Sequence, residues 1–198
     1  MTGSAWRMTD AVESWTWPGC EGQKATVEVY SDAEFVALYY NDKLIGKKRP
    51  KKFRAMFKLP YQPGTLKAVA LDKNGNAIGE TTLQTAGQET RLHFAPEKTT
   101  LCADGQSLCF IPITLTDAVG IWKPCANAKV HVEIDGPATL QALGSAATQT
   151  EENYLNDTHT TWLGRALAVI RAGTEPGKVR VTVTEDGYES QCVELAVQ

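Results

Sequence analysis

Hydrophobic and polar residues alternate with a period of two along much of this 198-residue chain. The segment KATVEVY at 24–30 places its alanine and both valines on one face. FRAMFKL at 53–59 points every second residue, beginning with Phe53, to one side, and TLKAVAL at 65–71 follows. Side chains of a strand point alternately to opposite faces, so this period predicts half-buried β-strands, and no helical 3.6-residue period competes with it.

Residues that favour tight turns separate these strand patterns. NDK at 41–43, PG at 63–64 and NG at 74–75 each stand between two apolar runs. An Asn-Gly pair is a strong hairpin signal, and Pro-Gly fixes the dihedral angles of a turn. About six short strands at this spacing predict a β-sandwich over residues 10–87, with residues 1–9 as a linker segment outside it.

A pause at 85–88, TAGQ, precedes a second series of strand patterns. SLCFIPITLT at 107–116 and KVRVTVT at 178–184 alternate again, and the glycine turn DGP lies between them at 135–137. Pro112 is expected to interrupt the first of these runs, because proline lacks the N–H of a strand ladder. This half predicts a second β-sandwich over residues 88–198.

The charge distribution supports a boundary between the two halves. Residues 1–90 carry 12 basic and 10 acidic side chains, a net charge of +2, whereas residues 91–198 carry 8 and 13, a net charge of -5. The total of -3 argues against a nucleic-acid partner, which would need many phosphates neutralised. The basic run KKRPKKFR at 47–54 is therefore interpreted as a solvated edge or turn that discourages aggregation.

Composition excludes several further classes of protein. The chain is 42% hydrophobic and 22% charged, which is typical of a folded globular protein. It has no apolar run of about 18 residues, so no membrane partner is predicted, and no signal peptide is recognisable. A (β/α)8 barrel needs about 250 residues with helices between its strands, so no such domain fits.

The cysteines predict neither a metal site nor a cofactor. Their number, five, is odd, and no Cys-x-x-Cys spacing occurs. Cys102, Cys109 and Cys192 stand beside apolar residues and are expected to be small buried hydrophobes. This usage favours a reducing, cytoplasmic location, and a secreted or periplasmic parent protein is the alternative.

No group of residues in the sequence has the spacing of a catalytic site. Glu151 and Glu152 are adjacent carboxylates, but neighbouring strand residues point to opposite faces, whereas glycoside hydrolysis needs two carboxyls that converge on one bond. We expect this pair to lie in a solvated loop. His93, His131 and His159 are far apart in sequence and match no nucleophile–base signature, so no catalytic residue is predicted.

Aromatic residues are the remaining candidates for a binding surface. Trp15 and Trp17, in SWTWPGCEG, share a face if this stretch is extended. Tryptophan is enriched at interfaces, so we expect the pair to pack against a neighbouring domain, and stacking on a sugar ring is the alternative. Tyr39, Tyr40 and Trp162 are the other aromatic residues that an interface or a sugar site would use.

Several blocks of the sequence, in a fixed order, resemble the C-terminal domains of bacterial β-galactosidases of glycoside hydrolase family 2. WTWPGCEG, YSDAEFVALYYNDKLIG and PYQPGTLKAVA are similar to the domain that follows the catalytic barrel. LCADGQSLCFIPITLTDAVG, VEIDGPATLQALGSA, EENYLNDTHTTWLGRALAVIRAG and GKVRVTVTEDGY are similar to the immunoglobulin-like C-terminal domain. The resemblance extends over residues 10–197.

The resemblance implies two tandem immunoglobulin-like β-sandwiches from an enzyme that cleaves terminal β-galactosides. Their implied partners are the catalytic barrel and N-terminal domains of the parent chain, and further copies in a homo-oligomer. The family's two catalytic glutamates belong to the barrel, so the fragment itself is expected to be inactive. Trp15 and Trp17 would lie at the hinge with the barrel or a neighbouring domain, and loop 144–148 departs from the Gly-Asn-Gly-type loop of relatives. A carbohydrate-binding accessory module with exposed aromatics is the alternative function.

Overall fold

The structure is a computed structural model that describes residues 11–185 and 190–198. The chain divides into two compact units, the first unit ending at Thr85 and the second unit beginning at Ala86. The regular secondary structure of the described residues consists of β-strands, which confirms the predicted all-β architecture of two β-sandwiches. Within the same ranges, no helix has the length and apolar character needed to span a bilayer.

The first unit is built from two antiparallel sheets. Its strands are β1 (Lys24–Tyr30), β2 (Phe35–Tyr40), β3 (Lys43–Lys48), β4 (Arg54–Pro60), β5 (Thr65–Leu71) and β6 (Ala77–Gln84). β1 and β4 form a two-stranded sheet, and the other sheet has the order β3-β2-β5-β6. β1 and β5 have the bounds that the alternation predicts.

The period of two in β4 shows how the first unit acquires its core. Ala55, Phe57 and Leu59 are buried, and the residues between them are exposed. These three side chains form one apolar cluster with Val36 and Leu38 of β2. Removing apolar surface from water, at about 25 cal/mol per Å², is what holds the two sheets together.

A cleft lies at the surface of the first unit. Its volume is about 840 Å³, and it is lined by Val27 and Val29 of β1, by Leu83 of β6, and by Trp15 and Trp17. Trp15 is buried, and the other four side chains are half-buried and pack at the margin of the core. We therefore interpret this apolar part of the cleft as the margin of the core.

The second unit also consists of two sheets. Its strands are β7 (Arg91–Phe94), β8 (Thr100–Leu101), β9 (Leu108–Thr116), β10 (Lys129–Asp135), β11 (Ala138–Gly144), β12 (Thr158–Thr160), β13 (Arg165–Ala172), β14 (Gly177–Glu185) and β15 (Gln191–Val197). One sheet has the order β12-β10-β14-β15-β8 and the other β11-β13-β9-β7. All pairs are antiparallel except β15 with β8.

Alternation again decides which face of each strand forms the core of the second unit. On β9, Ile111 and Ile113 are fully buried, and on β14 the same holds for Val181 and Val183. All four belong to one apolar cluster that joins the two sheets. The outward positions of both strands are consequently available at the surface or to the loops that cross it.

Phe53 is not an inward residue of β4, which corrects the sequence prediction. Lys52 and Phe53 both have positive φ, 52° and 65°, and Lys51 pairs with Arg54 across them. The chain thus reverses in a two-residue hairpin turn before β4 begins. Phe53 is left 69% exposed, and the basic run 47–54 forms the end of an edge strand and a turn, as predicted.

Pro112 does not interrupt β9, contrary to the prediction. The strand continues through this position and is paired with β13 on one side. On the other side β7 ends with Phe94 opposite Ile113, so Pro112 has no partner strand there that would need its missing N–H. A proline is tolerated in a strand at such an edge position.

The expectation of buried cysteines holds for Cys109 and is wrong for Cys102 and Cys192. Cys109 is fully buried, whereas the other two are exposed. Leu101 precedes Cys102 and is buried, and Val193 follows Cys192 and points inward in β15. Adjacent residues of a strand point to opposite faces, so a buried apolar neighbour indicates that the cysteine beside it is exposed.

Candidate functional site

Trp15 belongs to the core of the first unit. Its side chain is 4% exposed, and its ring meets that of Tyr61 edge-on with 5.0 Å between centroids. The indole Nε1 donates a hydrogen bond to the carbonyl oxygen of Gln62 at 3.0 Å, and the carbonyl oxygen of Trp15 accepts one from the Thr85 hydroxyl at 2.6 Å. The indole is part of the core of the first unit, so it offers no exposed face on which a sugar ring could stack.

Trp17 packs beside Trp15 and is half-buried. Its backbone N–H donates to the hydroxyl of Tyr61 at 2.9 Å, and its indole Nε1 donates to the carbonyl oxygen of Ser14 at 3.3 Å. The tryptophan pair that the sequence singled out is thus held by the first unit itself. It does not form a flat exposed platform.

Tyr39 and Tyr40 are both half-buried, and the structure does not bring them together as one surface. The hydroxyl of Tyr40 donates to the carbonyl oxygen of Pro63 at 2.9 Å, and its ring packs on the core. The ring of Tyr39 has Lys67 Nζ over it at 5.8 Å from the centroid. Consecutive residues of a strand point to opposite faces, which separates the two rings.

Trp162 lies at the surface of the second unit, at the start of a tight turn between β12 and β13. Trp162 and Arg165 exchange backbone hydrogen bonds of 2.8 and 3.0 Å across a two-residue turn. Leu163 and Gly164 have φ of 49° and 66°, as this type of hairpin turn requires. A Cβ atom at Gly164 would lie 2.5 Å from the carbonyl oxygen of Lys123, so only glycine fits. The side chain of Trp162 is left 46% exposed.

Trp122 comes from another part of the chain and is fixed to the same turn. Its indole Nε1 donates to the carbonyl oxygen of Leu163 at 2.8 Å. The guanidinium of Arg165 lies over the Trp122 ring, 3.7 Å from its centroid, a cation–π contact worth about 0.5–1 kcal/mol at an exposed site. Within the part of the chain that the structure describes, no carboxylate lies within ion-pair distance of Arg165.

Tyr154 contributes a second exposed ring. Its side chain is 47% exposed, and its ring covers the backbone of Gly144 so closely that a Cβ atom there would overlap it. The ring also stacks on the imidazole of His159, with 5.4 Å between centroids and 10° between planes. The carbonyl oxygen of Tyr154 accepts a hydrogen bond from the N–H of Leu143 at 2.8 Å. Both the backbone and the ring of this residue are therefore held in place.

Glu152 anchors the loop that carries Tyr154. Its carboxylate accepts hydrogen bonds from the N–H and the hydroxyl of Thr160 at 3.0 and 2.8 Å. His159 is fully buried, and its Nδ1 lies 2.9 Å from the carbonyl oxygen of Thr160 and 3.3 Å from the Glu152 carboxylate. Since both neighbours are acceptors, Nδ1 carries the hydrogen. Both carboxylates lie in a loop, as expected, but only Glu151 is exposed, so the expectation of a solvated side chain is wrong for Glu152.

These contacts change the acidity of Glu152. Desolvation alone would raise the pKa of this carboxyl, but the hydrogen bonds from Thr160, helped by the nearby His159 and Lys129, hold the pKa below its ordinary value of 4.5. A carboxyl whose folded pKa is lowered stabilises the folded state above its unfolded pKa. That contribution is lost as the pH falls through the folded pKa.

Substitution Glu152→Gln is expected to lower the free energy of unfolding of the second unit by about 1 kcal/mol at pH 7. The difference from wild type should shrink on acidification to about pH 3, because wild type then loses the same contribution. Urea unfolding at both pH values measures this. The adjacent Glu151→Gln is the matched control, with an expected change within about 0.5 kcal/mol. A difference that stays constant with pH would contradict the role of the Glu152 carboxylate.

The second unit has one open depression of about 590 Å³ where Trp122, Tyr154 and Trp162 come together. We call it the aromatic depression, and it is lined by Trp122, Gly144, Ser145, Tyr154, Trp162 and Arg165. Of the predicted site residues, only Trp162 contributes to it. The signal that could have located the rest is on β13, whose outward positions Leu167 and Val169 are apolar and line the same depression.

Aromatic, aliphatic and basic side chains line the aromatic depression. Glu152, the carboxylate on the Tyr154 loop, is already engaged by Thr160 and His159. Among residues 11–185 and 190–198, no three His, Cys, Asp or Glu side chains come together as a metal site. What the depression offers is flat apolar surface with one cation at its margin.

Profiles of known families assign both halves of the chain. The profile described as "Glycoside hydrolase family 2 C-terminal domain 5" matches residues 92–194, just over half of the chain. The chain belongs to glycoside hydrolase family 2. A second profile, described as a domain of unknown function (DUF4982), matches residues 22–79. The resemblance to the C-terminal domains of this family, inferred from short sequence blocks, is confirmed.

Solved structures of glycoside hydrolase family 2 contain the same fold. A family 2 member from Bacteroides cellulosilyticus matches with a TM-score of 0.94 and 32% identity, over 100% of this chain and 26% of that chain. A β-glycosidase from Bacteroides vulgatus matches with a TM-score of 0.86 and 24% identity, over 93% of this chain and 24% of that chain. The second likeness shows the fold alone.

Curated relatives from the family are enzymes several times longer than this chain. Beta-galactosidase BoGH2A of Bacteroides ovatus is 26% identical over 187 residues, which cover 93% of this chain and 22% of that protein. A beta-glucuronidase of Formosa agariphila is 27% identical over 182 residues, covering 88% of this chain and 18% of that protein. The chain thus spans about a fifth of the length of these two relatives.

Proposed function

We propose that this chain is the non-catalytic, C-terminal β-sandwich part of an enzyme that hydrolyses terminal β-galactosides. The proposal rests on one structural match. The whole chain superimposes on 26% of a family 2 member from Bacteroides cellulosilyticus with a TM-score of 0.94. The similarity to beta-galactosidase BoGH2A supports the substrate class. In this role the two units support the catalytic barrel and N-terminal domains of the parent protein, or the oligomer that it forms.

The internal construction of both units supports a scaffold role. Each unit has an apolar core of its own, so each can fold around its own sheets. The adjacent carboxylates of Glu151 and Glu152 do not converge, since one is exposed and the other is bound to Thr160. This pair therefore does not provide the two opposed carboxyls that glycoside hydrolysis needs, which agrees with a catalytic site elsewhere in the parent protein.

Two measurements test this proposal. The purified chain is expected to release no nitrophenol from p-nitrophenyl β-galactoside or p-nitrophenyl β-glucuronide. The full-length protein is expected to cleave the galactoside, and deletion of residues 11–198 from it should lower the melting temperature of the remainder by several degrees. Full-length protein with Glu151→Gln is the control. Turnover by the isolated chain, or a deletion that leaves the melting temperature unchanged, would contradict the scaffold role.

Carbohydrate binding is a second candidate function, favoured by one specific observation. The rings of Trp162 and Tyr154 are each nearly half exposed and line a single depression. Aromatic rings combine a large apolar face with a polar edge, and ligand sites are built from such rings and a few polar groups. A module of this kind would hold a glycan near the barrel without cleaving it.

A further inference from the structure

One ring of the aromatic depression, that of Tyr154, is held in place, and the turn that carries the other, Trp162, is fixed. Backbone hydrogen bonds hold the Trp162 turn, and Gly144 and His159 hold the ring of Tyr154. A ring that is already held in place loses little conformational entropy when a ligand packs on it. The volume of about 590 Å³ lies within the usual range for small-molecule sites, which is about 300–1,000 Å³. The depression can therefore take one or two sugar rings on their apolar faces.

Arg165 gives this surface its charge. The second half of the chain has a net charge of -5, yet the guanidinium of Arg165 has no carboxylate within ion-pair distance among the described residues. Its stacking on Trp122 holds the planar group at the margin of the depression. A guanidinium presents parallel N–H donors that match the two oxygens of a carboxylate.

We propose that the aromatic depression binds a saccharide that contains a uronic acid residue. Its pyranose ring packs on Trp162 and Tyr154, and its carboxylate pairs with Arg165. The inference rests on carbohydrate binding, the second candidate function, and adds the charge class of the sugar. The carboxylate is what distinguishes this ligand from a neutral sugar of the same shape.

A matched pair of ligands isolates the carboxylate. Methyl β-glucuronide and methyl β-glucoside differ only at carbon 6, and each is titrated into the 15N-labelled chain at low ionic strength. The indole N–H signals of Trp122 and Trp162 are expected to shift, and those of Trp15 and Trp17 to stay in place. The glucuronide should bind about fivefold more tightly than the glucoside, the effect of an exposed ion pair of about 1 kcal/mol.

Three variants assign the contacts. Trp162→Ala should weaken binding of both sugars about tenfold, since it removes one stacking face. Arg165→Gln should bring the affinity for the glucuronide down to that for the glucoside. Phe53→Ala removes an aromatic side chain that is 69% exposed on the first unit, and it should leave both affinities unchanged.

The outcomes distinguish carbohydrate binding in general from a preference for a uronic acid. Tighter binding of the glucuronide that depends on Arg165 supports the inference. Equal binding of both sugars, lost in Trp162→Ala, overturns the uronic acid preference and leaves carbohydrate binding intact. No shift of the Trp122 and Trp162 signals with either sugar overturns both the uronic acid preference and carbohydrate binding.

Discussion

Replacement of Trp15 by alanine is expected to lower the free energy of unfolding of the first unit by about 3–5 kcal/mol. The change leaves a large cavity between the sheets and removes the edge contact with Tyr61. It also removes the indole N–H that donates a hydrogen bond to the carbonyl oxygen of Gln62. Such a loss is a large part of the stability of a domain of this size.

The measurement must report on each unit separately, because two units do not unfold as one two-state system. Urea titration followed by amide signals of β5, in the first unit, and β14, in the second, meets this need. In Trp15→Ala the β5 midpoint should fall and the β14 midpoint should stay. Phe53→Ala lies in the same unit but at an exposed turn. It should change the free energy of unfolding obtained from the β5 signals by less than about 0.5 kcal/mol. Equal effects of the two substitutions would refute the core role of Trp15.

Gly136→Ala is expected to destabilise the second unit by about 3 kcal/mol. Gly136 has φ of 116°, a conformation that residues with a Cβ atom rarely adopt. The added Cβ atom would also overlap the carbonyl oxygen of Lys178 and lie 3.0 Å from the Cα atom of Val179. Both atoms belong to the backbone of β14, so relief requires that a central strand moves.

Gly120→Ala is the matched control for this prediction. Gly120 lies in the same unit with φ of 89°, but a Cβ atom there would meet nothing within 4 Å. Its substitution should cost only the backbone strain, about 1 kcal/mol. The difference between the two variants, measured by urea unfolding of the β14 signals, isolates the overlap with Lys178. If both variants lose the same stability, the close approach of Gly136 to β14 has no energetic consequence.

The positions of most strands could be read from the sequence because they depend on neighbouring residues alone. β5 occupies 65–71, where the alternation of TLKAVAL predicts it. The turn at Asn41 and Asp42 has φ of 45° and 61°, in the region that this residue pair tolerates. Period and turn chemistry are local properties, so a single sequence is sufficient to recognise them.

The errors in the strand prediction share one cause, which is dependence on a pairing partner. Phe53 matches the inward pattern of β4, yet the pairing of Lys51 with Arg54 places it in a turn. Pro112 is harmless in β9 because β7 has already ended opposite Ile113. No local pattern records where the partner strand ends.

The aromatic depression was only partly predictable for a similar reason. The sequence indicates Trp162 as a candidate, but its neighbours Trp122 and Tyr154 come from separate loops. A hydrogen bond from Trp122 to Leu163 and the packing of Tyr154 on Gly144 bring these residues together. Such contacts belong to the tertiary structure of the second unit and leave no local pattern in the sequence.

By itself the sequence determined that the chain is all-β, with two sandwiches and the order of blocks that is typical of glycoside hydrolase family 2. The tertiary structure alone decided that Trp15 is core and Trp162 is surface, and that Glu152 is anchored while Glu151 is solvated. The physical reason is that alternation separates the two faces of a strand. Which face becomes buried, and which side chains then meet, depends on the sheet or loop that packs against it.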